Sequence, residues 1–82
     1  MKAKRKPTTS FEEAYPNIAH FIDAIGYITI GHDDDSFFTS FIRALDPGGM
    51  VWEGKETYKT LDVAFQDLEA GLGKWMREEG IE

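Results

Sequence analysis

The sequence predicts an α+β fold: a two-layer sandwich of one three-stranded antiparallel sheet packed by two helices, in the order α-β-β-β-α. Three observations carry this. An apolar stripe at helical spacing opens the body of the chain. Three short β-branched and aromatic runs follow, separated by turn residues. A long amphipathic stretch closes it. Three meandering strands leave one sheet face open, and two amphipathic helices cover the other.

The first helix begins at Ser10-Phe11-Glu12-Glu13, which fits a capping box with Ser at the N-cap and Glu three residues on. Phe11, Tyr15, Ile18, Ile22 and Ile25 then recur at steps of four and three, as a helix face requires. Pro16 interrupts it, because proline inside a helix removes a donor and clashes with the preceding turn. Either the helix kinks there, or a first turn ends near Tyr15 and the main helix starts at Pro16. Gly26 is a natural stop.

Tyr-Ile-Thr-Ile at 27–30 is the first strand and residues 36–45, SFFTSFIRAL, the second. Apolar residues crowd both faces of the second, so part of it is buried on both sides or bulged. Residues 50–56, MVWEGKE, form the third. Asp46-Pro47-Gly48-Gly49 joins the last two with turn chemistry: proline presets φ near −65° and glycine accepts positive φ. The last helix starts near Thr60, with Asp62 in its first turn. Leu61, Ala64, Phe65, Leu68, Leu72, Trp75 and Met76 make its apolar face. Gly71 and Gly73 mark a kink or a close approach to the sheet, and the charged residues past Met76 are expected to fray.

Composition sets the limits. Eighty-two residues make one domain, here 10–80, behind a basic tail at 1–9 that is expected to be disordered. A hydrophobic share of 41% with 13% aromatics favours a folded core over disorder. There is no cysteine, which excludes disulfides and thiolate metal sites and fits a reducing, cytoplasmic setting. No apolar run approaches the roughly 20 residues that span a bilayer, and the basic start lacks the apolar stretch of a secretory signal, so no membrane partner is expected. Lys2, Lys4, Arg5 and Lys6 hold much of the positive charge. From Pro7 onward five basic residues face fifteen acidic ones, a body of −10. Such a body repels a phosphate backbone, which makes nucleic acid an unfavoured partner, with contact through the basic tail as the alternative.

His32-Asp33-Asp34-Asp35 is the one cluster that suggests a metal or a carboxylate pair. An EF-hand loop starting at Asp33 needs Gly at its sixth position and Glu at its twelfth, and the chain has Phe38 and Ala44 there. Aspartate between strands is ordinary turn chemistry. Paired catalytic acids need burial to raise one pKa, which wet turn residues lack. No serine sits in a nucleophile elbow, and Gly48-Gly49 leads into a strand instead of a phosphate-binding helix. The reading is therefore no catalytic residue, no metal and no cofactor. The aromatic surplus is the remaining signal. Tyr27, Phe37 (or its neighbour Phe38), Phe41 and Trp52 exceed what one sheet face holds, and those that point outward would mark a partner surface. A protein partner or self-association is expected, through the outer sheet face, an edge strand or the acidic rim, with strand pairing as a route to a dimer.

The helix and strand order is that of the double-stranded-RNA-binding fold, but Tyr58-Lys59-Thr60-Leu61-Asp62 lacks the lysine-rich start of that family's second helix. Residues 27–76 more closely resemble the N-terminal domain of HicB-type antitoxins. Asp34-Asp35 and Phe37-Phe38 match its acidic turn and aromatic strand. Pro47-Gly48 match its turn, and Thr60-Leu61-Asp62-Val63-Ala64 through Trp75 its helix. The chain departs in a longer Gly54–Thr60 segment, an extra first helix, and no DNA-binding segment after Trp75. The resemblance implies a related fold and a habit of binding protein partners, with an antitoxin-like or nucleic-acid-binding role as the alternative function. It carries no functional residue over.

Overall fold

The computed structural model describes residues 10–32 and 39–81. The basic tail and the Asp33–Phe38 segment lie outside them, as does the Ser10 side chain on which the capping box depends. The order is α1 (Ser10–Ala14), α2 (Pro16–Ala24), β1 (Tyr27–Ile30), β2 (Ile42–Asp46), β3 (Gly49–Glu53) and α3 (Leu61–Glu79). The three strands form one open antiparallel sheet in the order β1-β2-β3, as predicted.

Pro16 resolves the first helix into two. The residue before a proline is driven out of the α region, and Tyr15 sits at φ −132°, ψ 65° with Pro16 at the first position of α2. This break resets the helical phase. In α2 the buried residues are Ile18 and Phe21, while Ile22, placed in the core by the continuous stripe, is 53% exposed.

Pro16 also explains how α2 is capped. Tyr15 offers no side-chain cap, which leaves the N–H groups of the first turn without partners. Glu69 of α3 supplies them across the domain: the Asn17 N–H donates to its Oε2 at 2.9 Å and the Ile18 N–H to its Oε1 at 3.0 Å. A carboxylate at a helix N-terminus also meets the positive end of the dipole. Glu69→Ala should therefore lower stability by about 2 kcal/mol, in the range of a lost cap with charged hydrogen bonds. Urea unfolding reads this directly. A midpoint unmoved from wild type would show that water replaces the carboxylate at no cost.

The hairpin follows its sequence. Asp46 Oδ1 accepts from the Gly48 N–H at 2.8 Å, and Asp46 pairs with Gly49 across the loop. The positive φ falls on Gly49, at 128°. The described part of β2 is shorter than residues 36–45. Residues 39–41 precede the regular strand, and Ile42, Arg43 and Ala44 are buried in succession, so both faces are covered. β3 runs from Gly49 to Glu53, not from 50 to 56, and a bulge opposite Ala44 and Leu45 leaves Val51 without a partner in the register.

Helices α2 and α3 cover one face. Ile18 and Phe21 from α2, Ile42 and Ala44 from β2, and Ala64, Leu68, Leu72 and Met76 from α3 form the core. Thr60 caps α3, its Oγ1 accepting from the Val63 N–H at 3.1 Å. α3 continues unbroken past both glycines. A Cβ at Gly71 would collide with the Trp52 indole, and one at Gly73 with the Asn17 amide. Gly71 thus marks a close approach to the sheet and Gly73 one to α2. Past Met76 the helix does not fray. Gly80 takes φ 75°, its N–H donates to the Arg77 carbonyl, and the Ile81 N–H donates to the Met76 carbonyl at 2.8 Å. This is a Schellman cap, with Ile81 closing onto the core.

Candidate interaction surface

The sheet alternation decides where the predicted aromatics go. Ile28, Ala44 and Trp52 pair in register beneath the helices. Trp52 is therefore a half-buried residue of the inner face, packed against the core and under Gly71. Tyr27 points the other way and is 54% exposed. Phe41 is half-buried against the core, edge-on to His32 and Tyr58 with centroids 5.7 and 6.2 Å apart. Phe37 and Phe38 lie outside the described residues. The structure does not bring Tyr27, Phe41 and Trp52 into one patch.

The outer face holds a row of Tyr27, Leu45 and Met50 and a row of Thr29, Arg43 and Glu53. Arg43 is only 7% exposed there. Burying a guanidinium requires hydrogen bonds to offset lost hydration. Its Nε donates to Thr29 Oγ1 at 3.0 Å, Nη1 to the Ser40 carbonyl and to Ser40 Oγ at 3.1 Å, and Nη2 to the Gly31 carbonyl at 3.4 Å. The clamp ties the end of β1 to the segment that leads into β2. Nothing in the sequence marks this arginine as buried, because a mid-strand Arg reads as solvated.

The two sheet edges differ. β3 carries a bulge and the charged Glu53, both devices that keep other strands away. β1, Tyr-Ile-Thr-Ile, has no charge, no proline and no bulge, and among the described residues no strand lies on its other side. The Gly31 N–H donates to the Phe41 carbonyl at 2.6 Å, continuing the register past Ile30 and Ile42. Alternation in an antiparallel ladder then assigns Tyr27, Thr29 and Gly31 to bonds with β2. Ile28 and Ile30 aim their N–H and C=O groups at the open side. Ile30 is also 47% exposed.

A cleft of about 320 Å³ lies between His32, Phe41 and the 56–61 segment. His32 Nε2 stands 3.1 Å from the carbonyls of both Thr39 and Glu56. Both are acceptors, so that nitrogen carries the proton and the ring staples the two segments together. Tyr58 donates to Asp67 Oδ2 at 2.6 Å and accepts from the Lys55 N–H at 2.8 Å. Desolvation and the Asp67 carboxylate push its pKa above the usual tyrosine value. These polar groups are committed to holding the loop. Among the described residues no three His, Asp or Glu side chains come together as metal ligands, and the Asp33–Asp35 run lies outside them. No helix among those residues is long and apolar enough to cross a membrane.

Comparison with protein-family models, with curated proteins and with solved structures finds no match. The fold and the open β1 edge therefore carry the functional reading.

Proposed function

We propose that this chain is a small non-catalytic protein-interaction module that takes up its partner by strand addition at β1. One observation carries the reading: β1 is an uncharged, unbulged, proline-free edge, with backbone groups at Ile28 and Ile30 that meet no partner strand among the described residues and apolar side chains exposed at Tyr27 and Ile30. Natural edges of this composition are otherwise blunted. In strand addition the backbone supplies affinity and alternate side chains supply choice of partner. The acidity of the body favours a protein partner over nucleic acid.

The test is capture on immobilised protein from an extract of the native cell. Ile30→Lys places a charge on the edge at an already exposed position and should abolish specific retention without changing the urea midpoint. Ile22→Lys, equally exposed but on α2, should retain as wild type does. Equal retention by wild type and Ile30→Lys would remove β1 as the binding element.

A further inference from the structure

We infer that the occupant of the β1 edge is a second copy of the same chain, paired antiparallel about a two-fold axis through Thr29. This rests on the strand-addition reading and names its partner.

The register follows from hydrogen-bond parity. Ladder alternation leaves the outward backbone groups of Ile28 and Ile30 without a partner strand among the described residues. Two antiparallel copies satisfy all of them in one register, with Ile28 opposite the partner's Ile30 and Ile30 opposite the partner's Ile28. Each such pair exchanges two N–H to C=O bonds. Thr29 then faces the partner's Thr29 as a non-hydrogen-bonded pair, with Cα atoms about 4.5 Å apart. A register centred on Ile28 pairs Ile30 with the partner's Gly26 and leaves the exposed Ile30 side chain facing glycine. The Thr29 register sets it against the half-buried Ile28 of the other copy, on the helix-covered face of both. Opposed residues share a face, so the product is one six-stranded sheet in the order 3-2-1-1-2-3 with all helices on one side. Thr29 against Thr29 is a favourable cross-strand pair. The strand itself carries no charge to repel its copy.

The net charge gives the inference a sign. Each copy carries −6, so long-range repulsion opposes dimerisation and salt relieves it. The dimer should tighten as NaCl rises. Capture of a basic partner by this acidic body would weaken under the same titration.

The experiment is light scattering over a concentration and salt series, joined to thiol cross-linking. The chain has no cysteine, so each single-cysteine variant reports one position. The mass should climb to twice that of the protomer with concentration, and further with salt, and Ile30→Lys should remain monomeric. With diamide as oxidant, two thiols give up their hydrogens and form one disulfide. Thr29→Cys should cross-link readily, because its Cα separation falls in the disulfide range. Tyr27→Cys, opposite the partner's Gly31, and Ile28→Cys should not. Preferential linkage of Ile28→Cys would overturn the register. A dimer that Ile30→Lys leaves intact, or one that salt dissociates, would overturn the inference. A monomer at every concentration would overturn it too. If edge-dependent capture from extract persists in that case, strand addition stands with a different occupant, and if capture is also insensitive to Ile30→Lys, both readings fall.

Discussion

Phe21→Ala should cost about 4 kcal/mol, within the range for deleting a buried phenylalanine ring. Phe21 is fully buried and meets Trp75 of α3 edge-on at 5.8 Å between centroids. Its carbonyl also accepts from the N–H groups of Ile25 and Gly26, at 2.9 Å each, where the chain leaves α2 for β1. The ring thus pins the point at which α2 and α3 meet the sheet. A domain this small holds about 5 to 10 kcal/mol in total, so the variant should sit near the edge of unfolding at 37 °C. In urea, with a slope of roughly 1–2 kcal/mol per molar, the midpoint should fall by about 2 M or more. Ile22→Ala is the internal control. Its side chain is exposed, and a surface change of that kind moves stability by about 0.5 kcal/mol or less. A larger loss at Ile22 than at Phe21 would mean that α2 is turned onto the other stripe and that the core described above is wrong.

That pair of residues also shows what the sequence could and could not reveal. The stripe from Phe11 to Ile25 is helical in spacing, but it counts through Pro16 as if the helix were continuous. The proline was visible; its effect on phase depends on which of two allowed conformations Tyr15 adopts, and that is set by packing. Signals within a few residues read correctly: the Thr60 cap, the Asp46–Gly49 turn and the Tyr27–Ile30 strand. Gly80 followed by Ile81 was a readable Schellman signature that the surrounding charge masked. The Glu69 cap of α2 was not readable, because its partners lie about fifty positions away in sequence. The candidate surface divides the same way. The uncharged strand was plain in the letters, whereas the contrast between its open edge and the bulged β3 edge required the register. Trp52 went under α3 because Gly71 left room for it, a pairing of two residues that neither one announces.

Arg43→Met should lower stability by about 3 kcal/mol, although methionine keeps the length and most of the apolar stem. The loss comes from what the guanidinium leaves behind. Ser40 is 1% exposed, and its carbonyl loses a donor where water has poor access, while the half-buried Gly31 carbonyl loses another. An unsatisfied buried group costs about 1–3 kcal/mol. Removing a buried charge returns part of that, because its desolvation no longer opposes folding. Arg43→Lys should do little better than Met, since one ammonium does not span the fork that reaches Thr29, Ser40 and Gly31 together. Amide hydrogen exchange separates a local effect from a global one. Loss of the clamp should first speed exchange at Gly31, whose N–H is bonded to Phe41 at the end of β1, and reach the core amides of α3 only as global stability falls. The consequence for binding follows from the same geometry. Ile30 lies between Thr29 and Gly31, both held by Arg43, so freeing that end adds an ordering cost to any strand that pairs with it. Arg43→Met should therefore weaken edge pairing even under conditions where the domain remains fully folded. Pairing unchanged in a folded Arg43→Met protein would mean that β1 is rigid without the clamp, and that the arginine serves the fold alone.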